Sequence, residues 1–275
     1  MSSPRVTLVR GLLRVSKLFA TRHRIEDVAR TLVVAPHPDD EVLGCGGTIA
    51  RKAMAGAAVK VVIMTDGSTS HAHLIDVEQL IRLRRAEACA AARELGVDSS
   101  TYEFMNFPDG QLHEHRAAAV ASMRKLITSF QPREIYVPHR DDRQADHIAT
   151  YEVVQAALQG LTHSVKVFEY PVWLWHSWPW TWGPARRREE GRMRHVAGML
   201  ASVWQIAFGC RERCDISAVR GRKLEAIRAY GSQMERRDGD PRWPIMADVS
   251  GGEFITYFTG SEEVFRMSVR NPTSG

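Results

Sequence analysis

An imidazole and two carboxylates lie within residues 37–40 of the chain, in the sequence Pro36-His37-Pro38-Asp39-Asp40-Glu41. They directly follow the apolar run Leu32–Ala35, which is typical of a buried strand. Histidine and aspartate are common ligands of divalent ions, and a carboxylate left free beside such an ion can take a proton from water. This segment therefore predicts a metal site with a free carboxylate beside it.

The spacing of these side chains suggests which of them bind the ion and which acts as the base. His37 and Asp40 are three positions apart in a turn, so both can coordinate one ion, and His147, at the start of a predicted helix, is the best candidate for a third ligand from another loop. Two imidazoles and one carboxylate leave a coordination position of Zn²⁺ open for water, whose pKa then falls to about 7. Asp39 remains free to act as general base. Helix capping by Asp39 and Asp40 is the competing interpretation, but it explains neither histidine.

The elements that must position these residues alternate along the chain after residue 30. Strands are predicted at Leu32–Ala35, Val59–Met64, Thr101–Met105, Glu134–Pro138 and Val165–Tyr170, and helices at Gly47–Ala55, Val77–Leu95, Glu114–Phe130 and His147–Leu158. This order predicts a Rossmann-like three-layer α/β/α fold with a mainly parallel sheet. Because such sheets carry their sites at the carboxyl ends of the strands, residues 37–41 and 141–147 are expected at the same edge.

The periodic signal weakens from Trp173 onward. Helices are predicted around Glu190–Val203 and Ala218–Met234, and a final strand at Phe254–Phe258. We interpret the chain from about residue 171 as a C-terminal elaboration of one domain that spans residues 31–275. A basic amphipathic segment over residues 1–30 precedes that domain.

Composition and charge narrow the class of protein. The chain has 275 residues, of which 44% are hydrophobic and 25% charged, as is ordinary for a soluble globular protein. The formal charge of +5 comes from clusters spread along the sequence, so no nucleic-acid partner is expected. Four cysteines are few for this length and favour a reducing cytoplasmic setting, with a Cys210/Cys214 disulfide or metal pair as the alternative. No apolar run approaches the ~20 residues that cross a bilayer.

Three motifs carry a resemblance to a known family. They are residues 35–41 (Ala-Pro-His-Pro-Asp-Asp-Glu), Gly44-Cys45-Gly46-Gly47, and residues 146–150 (Asp-His-Ile-Ala-Thr). Together they are similar to motifs of the PIG-L/LmbE family of zinc-dependent N-acetylglucosaminyl deacetylases. The likeness runs from about Leu32 to Tyr170. Further segments agree with it: Arg84-Arg85-Ala86-Glu87, Glu94-Leu95-Gly96-Val97, Phe107-Pro108-Asp109-Gly110, and Lys223 with Ser232-Gln233.

The resemblance implies an activity and a role for each matching residue. The activity is removal of an acetyl group from an N-acetylglucosamine-type unit of a glycan, glycolipid or glycosylated metabolite. By this resemblance, His37, Asp40 and His147 would bind zinc or another divalent ion. Asp39 would be the general base. Arg84 and Asp109 would contact the sugar. Asp146, beside the last ligand, is counted with the catalytic candidates.

One position departs from the family pattern. Members commonly carry a histidine three positions before the last metal ligand, whereas this chain has Gln144. A glutamine amide can donate a hydrogen bond to an oxyanion but cannot deliver a proton. Gln144 is therefore predicted to stabilise the oxyanion, and protonation of the leaving amine would fall to Asp39.

Other functions compete with this interpretation. One is a different metal-dependent amidase, and another is a phosphoesterase that uses Asp66, Asp141 or Asp142 around a second ion. A third is a sugar-binding homologue that has lost catalysis, for which Gln144 is the sequence signal. A nucleotide-binding loop at residues 44–47 is disfavoured because the spacing lacks the complete motifs, and the glycines more simply let the helix approach the sheet.

Two segments suggest contact with a membrane surface. Five tryptophans lie between Trp173 and Trp182, and their rings suit sugar stacking, a bilayer interface or a packed aromatic lid. Arg186, Arg187 and Arg188 follow, and the first nineteen residues combine leucines with basic side chains at helical spacing. These features motivate the hypothesis of peripheral association with the inner face of a membrane that carries lipid-linked glycans. Packing across the domain explains the N-terminal segment equally well.

Overall fold

The computed structural model describes residues 20–22, 28–177 and 204–272. Several predictions of the sequence fall outside these ranges: most of the N-terminal amphipathic segment, the helix at residues 190–203, three of the five tryptophans, and the arginines at 186–188. Within the described ranges, no helix combines the length and the apolar character needed to cross a bilayer.

The strands of the described ranges form one mixed, mainly parallel sheet. They are β1 (Thr21–Arg22), β2 (Thr31–Ala35), β3 (Val59–Thr65), β4 (Tyr102–Phe107), β5 (Glu134–Pro138), β6 (Val165–Tyr170), β7 (Glu212–Asp215) and β8 (Glu262–Arg270). Their order in the sheet is β1-β7-β8-β6-β5-β2-β3-β4. Strand β8 is antiparallel to β6 and β7, and the other neighbours are parallel. The predicted mainly parallel sheet is therefore confirmed.

Helices cover both faces of the sheet. The longer ones are α1 (Asp40–Met54), α2 (Val77–Leu95), α3 (Arg116–Phe130), α4 (Ala145–Ala157) and α5 (Arg220–Ala229). Alternate residues of β2 face opposite layers: Val33 and Ala35 pack in the core that contains α1, α2 and α5, whereas Leu32 and Val34 pack in the core with α3 and α4. Burial on both faces explains the continuous apolar runs of the strands. The three-layer prediction is confirmed.

Helix α1 begins at Asp40, seven residues before the predicted start at Gly47. The low helix propensity of glycine suggested a later start. Packing requires the glycines instead, because a Cβ atom on Gly44 would overlap the ring of Tyr170 in β6, and one on Gly47 would lie 2.5 Å from Ile216 Cγ2. The first turns of α1 therefore lie directly against the sheet, as predicted for these glycines.

The predicted strand at Phe254–Phe258 is wrong. Residues Glu253–Thr256 are helical, and Phe254 is buried against Trp173, with ring centroids 5.2 Å apart. The final strand is β8, in which charged residues interrupt the apolar ones, and the sequence prediction missed it together with β7. The predicted helix at Ala218–Met234 is divided in two, because Tyr230 leaves helical geometry at φ −83° and ψ 58°.

The four cysteines of the chain, Cys45, Cys89, Cys210 and Cys214, are free thiols. The Cys210/Cys214 disulfide that the sequence left open is therefore not formed. Burial raises the pKa of Cys214 to about 12 and holds the pKa of Cys210 well above its usual range, so neither thiol is poised as a thiolate ligand at neutral pH.

Candidate metal centre and active site

The three predicted metal ligands meet at the carboxyl edge of the sheet. His37 and Asp40 follow β2, and His147 lies in the first turn of α4, which follows the neighbouring strand β5. Asp40 Oδ2 is 3.1 Å from His37 Nδ1 and 3.1 Å from His147 Nε2. One ligand atom from each of the three residues lies within 4.8 Å of the others. The predicted convergence of the two loops is confirmed.

The orientation of His147 fits a bound ion. Its Nδ1 lies 2.9 Å from Asp142 Oδ2, whereas its buried Nε2, 3.1 Å from Asp40 Oδ2, makes no well-aligned hydrogen bond. A buried polar nitrogen without a well-aligned hydrogen bond costs free energy unless something else satisfies it. Two imidazole nitrogens and a carboxylate oxygen are a ligand set that suits Zn²⁺. The residues present therefore fit a divalent ion.

The charges of the ligands favour a cation at this position. Burial raises the pKa of Asp40, but the imidazoles of His147 and His37 outweigh burial and hold it well below its usual range. Burial likewise opposes the charge on His147, yet Asp40 and Asp142 raise its pKa to about 9. An ion and a proton compete for the same imidazole nitrogen, so metal binding at neutral pH releases a proton from this site.

Asp39 lies between the ligands in an unusual backbone conformation. Its φ is 120°, in a region that residues other than glycine rarely adopt, and its side chain makes no capping hydrogen bond to α1. The capping interpretation of Asp39 is therefore not supported. Its backbone N–H donates to Glu41 Oε2 at 3.1 Å, and the hydroxyl of Tyr230 donates to the other oxygen of the same carboxylate.

The carboxyl group of Asp39 has a pKa close to neutral pH. Burial raises its pKa to about 7, against the opposing effect of the Arg84 guanidinium. Arg84 Nη2 lies 3.2 Å from Asp39 Oδ2 and also donates to the carbonyl of Pro38. A carboxyl group that gains and loses its proton near pH 7 is suited to general acid and base work. That role of Asp39 stays a prediction.

The second nitrogen of His37 faces two further carboxylates. Nε2 is 3.2 Å from both Asp109 Oδ1 and Asp146 Oδ2. Asp146 also accepts the N–H groups of Gly110 at 2.7 Å and Leu112 at 3.2 Å, so it holds the Asp-Gly loop against the back of His37. Carboxylates behind a metal-ligating histidine fix its tautomer and raise its basicity. This placement suggests an orienting function for Asp146, and the predicted catalytic role stays a prediction.

A cavity of about 170 Å³ opens beside these groups. Its lining includes all the predicted site residues except Asp146 and His147, namely His37, Asp39, Asp40, Arg84, Asp109 and Gln144. Residues that the sequence did not single out for the site also line it: Thr69, Ser70, Val172 and Met246. Gln144 precedes α4, and its side chain makes no capping bond, so the amide is exposed at the cavity. Gly67, Trp173 and Gln233 complete the wall.

Sequence reasoning missed the function of Asp142, which it had considered only as a ligand of a second ion. Its carboxylate pairs with His147 and accepts the backbone N–H groups of Val172, at 3.2 Å, and Leu174. The signal in the sequence was an aspartate five positions before the predicted histidine ligand, between a strand and a helix.

The carboxylates proposed for a second ion do not gather in the part of the chain that the structure describes. Asp66 accepts the N–H groups of Ser68 at 3.1 Å and Asp109 at 3.2 Å, Asp141 is exposed, and Asp142 holds His147. None of them belongs to a group of ligand-type side chains close enough to share an ion. A second group of ligand-type side chains does occur, formed by His37, Asp109 and Asp146, but it shares His37 with the first group and contains none of the three carboxylates proposed for the phosphoesterase.

Comparison with known families agrees with this arrangement. Residues 32–158 match the family model PIG-L, described as GlcNAc-PI de-N-acetylase. This part of the chain, the PIG-L segment, is similar to the PIG-L family, as the sequence motifs predicted. The PIG-L segment carries the three metal-ligand candidates and Asp39, Arg84, Asp109, Gln144 and Asp146.

Relatives of the PIG-L segment include named deacetylases. A 1D-myo-inositol 2-acetamido-2-deoxy-alpha-D-glucopyranoside deacetylase of Mycobacteroides abscessus is 28% identical over 250 residues, covering 76% of this chain and 83% of the relative. The diacetylchitobiose deacetylase of Thermococcus kodakarensis is 31% identical over 160 residues, covering 54% of this chain and 59% of the relative.

Solved structures share the fold. The N,N'-diacetylchitobiose deacetylase from Pyrococcus horikoshii gives a TM-score of 0.63 at 21% identity, and the match covers 98% of this chain and 94% of that one. A structure described as the zinc inhibited form of teicoplanin deacetylase Orf2 gives a TM-score of 0.59 at 18% identity, covering 90% of this chain and 100% of that one. At these identities the likeness is one of fold.

Proposed function

We propose that the protein is a metal-dependent hydrolase that removes the acetyl group from an N-acetylglucosamine-type sugar. The observation that carries this proposal is the meeting of His37, Asp40 and His147 around one point, with the carboxylate of Asp39 outside this ligand group and beside it at a cavity. The match of residues 32–158 to the PIG-L family and the names of the relatives support the choice of an N-acetylated amino sugar as substrate.

The proposed mechanism assigns each step of the reaction to a residue of the cavity. A divalent ion, when bound, supplies Lewis acidity that activates water and stabilises negative charge on an amide oxygen. Asp39 accepts a proton from the attacking water, and the amide of Gln144 donates a hydrogen bond to the oxyanion. Because Gln144 has no proton to transfer, Asp39 returns its proton to the amine as the C–N bond breaks. The products are acetate and the free amino sugar.

Substrate contacts belong to the same proposal. Asp109 lines the cavity; its oxygens contact His37 and Thr69, and a carboxylate oxygen has a further lone pair that can accept a hydrogen bond from a sugar hydroxyl. Arg84 lines the cavity too, but its guanidinium already holds Asp39 and Pro38, so we assign it a positioning function in addition to the predicted sugar contact. The membrane contact and the cytoplasmic location remain hypotheses. A flotation assay that finds no binding to anionic vesicles would reject the first.

Release of acetate from N-acetylglucosamine conjugates tests the activity. Thiol-linked, lipid-linked and nucleotide-linked conjugates are incubated with the chelator-treated protein and with the same protein after zinc is restored. Acetate and free amine should appear in the zinc samples alone. Asp39→Ala should lower kcat by about 10²–10⁴-fold, the usual contribution of a general base, while the bound zinc per chain stays unchanged.

Each competing function has its own outcome in this assay. Release of phosphate together with two ions per chain would favour the phosphoesterase. Binding of the sugars without acetate release would favour a sugar-binding homologue. Near-normal turnover by Asp39→Ala would contradict the proposed mechanism.

A further inference from the structure

A serine and a histidine in the loop after β3 form a hydrogen-bonded pair at the wall of the cavity. Ser70 lines the cavity, and its Oγ lies 2.9 Å from Nδ1 of the adjacent His71. His71 is only 1% exposed. Its ring stacks on Trp243 with centroids 4.1 Å apart, and Trp243 is itself anchored by a 2.8 Å hydrogen bond from Nε1 to the carbonyl of Ser232. The pair is therefore rigidly held.

The contacts of His71 fix its tautomer. Nε2 lies 2.9 Å from the carbonyl oxygen of Pro244, which can only accept, so this nitrogen carries the hydrogen. Burial lowers the pKa of His71, and the charge of Arg84 acts in the same direction, so the ring is neutral near pH 7. In a neutral imidazole the second nitrogen is an acceptor. Nδ1 of His71 must therefore accept a hydrogen bond, and its neighbour is the hydroxyl of Ser70.

This arrangement sets the polarity of Ser70. Its only hydroxyl hydrogen points to His71 and away from the cavity. A second polar neighbour of the hydroxyl, Arg84 Nη1 at 3.5 Å, is a donor. The oxygen of Ser70 consequently offers lone pairs, and no hydrogen, to a molecule in the cavity.

We propose that Ser70 is a specificity residue that accepts a hydrogen bond from a hydroxyl group of the amino sugar, and that His71 is the positioning residue that imposes this polarity. The inference rests on the proposed deacetylase function and deepens it. The neighbouring wall has the same character, because Asp109 and Asp39 present carboxylate oxygens to the cavity and Thr69 donates its hydroxyl hydrogen to Asp109 at 2.7 Å. A wall rich in acceptors suits a polyhydroxylated ligand, in which every hydroxyl has a hydrogen to donate.

The first test compares Ser70→Ala with Ser68→Ala on the conjugate that the wild type deacetylates fastest. Loss of one neutral hydrogen bond to the substrate should lower kcat/KM by about tenfold, mainly through KM, because the bond exists in the ground state and in the transition state. Ser68 lies in the same loop but outside the cavity lining, so Ser68→Ala should match the wild type. Bound zinc per chain should be unchanged in both variants.

The second test identifies the sugar group. Wild type and Ser70→Ala are compared on the 3-deoxy, 4-deoxy and 6-deoxy forms of the sugar. The penalty of Ser70→Ala should disappear for the one analogue that lacks the recognised hydroxyl, and the wild type should itself lose about tenfold on that analogue. A penalty of equal size on every analogue would overturn the assignment of Ser70 while leaving the deacetylase function intact. Absence of acetate release by the wild type from every sugar would overturn both.

The third test addresses His71. His71→Phe keeps an aromatic ring over Trp243 but removes the acceptor for the Ser70 hydrogen. Because His71 acts on the sugar through Ser70, the double variant Ser70→Ala with His71→Phe should be no worse than Ser70→Ala alone. Additive losses would show that His71 affects the site by another route and would overturn its positioning function.

Discussion

Asp142 shows how a residue that touches neither substrate nor ion can control the candidate metal centre. Its carboxylate fixes Nδ1 of His147 and thereby directs Nε2 of the same ring toward Asp40. Outer carboxylates of this kind orient a ligating histidine and increase its affinity for the metal. The function of Asp142 follows from contacts between distant segments, and spacing along the chain did not reveal it.

Asp142→Asn should weaken zinc binding by about 10–100-fold, because the amide can accept a hydrogen bond but no longer supports the imidazole with a full charge. The measurement is a competition titration of zinc against a chromophoric chelator. Asp141→Asn is the matched control, since Asp141 is adjacent in sequence but exposed, and it should bind zinc like the wild type. Equal zinc affinities for all three proteins would refute the orienting function of Asp142.

At the scale of elements, the sequence predicts best where local signals and packing agree. The bounds of α2 match the prediction, because Asp76 caps its first turn with a 3.0 Å hydrogen bond from Gln79 N, and Gly96 ends it in the left-handed region at φ 79°. The start of α1 was misplaced because tertiary contact with Tyr170 selects glycine against its helix propensity. Elements whose bounds depend on local sequence signals can thus be predicted, whereas elements whose bounds depend on contact with a residue far away in the chain cannot.

The C-terminal strands illustrate the second case. Glu263 in β8 is 4% exposed, which no pattern of apolar residues predicts. It is buried because it accepts the N–H groups of Gly47 at 2.7 Å and Thr48 at 2.8 Å, in the middle of α1. The three metal-ligand candidates, in contrast, were predictable, because parallel strands deliver their exit loops to one edge.

The close approach of α1 to the sheet makes a prediction about Gly44. Gly44→Ala should destabilise the protein by about 1–3 kcal/mol, since a methyl group must displace the buried ring of Tyr170. Gly221→Ala in α5 is the control: nothing lies within 4 Å of a Cβ atom there, so the change should be neutral or slightly stabilising. Urea unfolding of both variants measures the difference, and a Gly44→Ala protein as stable as the wild type would contradict the packing argument.

At the scale of the whole molecule, a buried ion pair connects the C-terminal elements to the helix that begins at the site. Lys223 in α5 donates to Glu263 Oε1 at 2.6 Å and to the carbonyl of Leu43 at 2.8 Å. Leu43 and Gly47, four residues apart in α1, thus each contact a charged side chain from the C-terminal part. This network joins α1, α5 and β8 in one unit.

Lys223→Met should destabilise the protein by about 3–5 kcal/mol, because it leaves the charge of Glu263 buried without its counterion. The double variant Lys223→Met with Glu263→Gln should regain part of this loss, since no unpaired charge remains. Arg82→Ala removes the exposed Arg82–Glu78 pair and serves as the control, with a change of about 0–1 kcal/mol. Thermal and urea unfolding measure the stabilities of these variants. A double variant less stable than Lys223→Met would contradict the prediction.

The carboxylate of Asp142 is also a point of mechanical coupling. It receives the backbone N–H groups on either side of Trp173, whose ring forms part of the cavity wall, and it holds His147 at the same time. Any displacement of that backbone by a bound sugar would act on the same carboxylate that holds the imidazole. Thermodynamic reciprocity then requires that whatever factor the sugar imposes on zinc affinity, zinc imposes on sugar affinity.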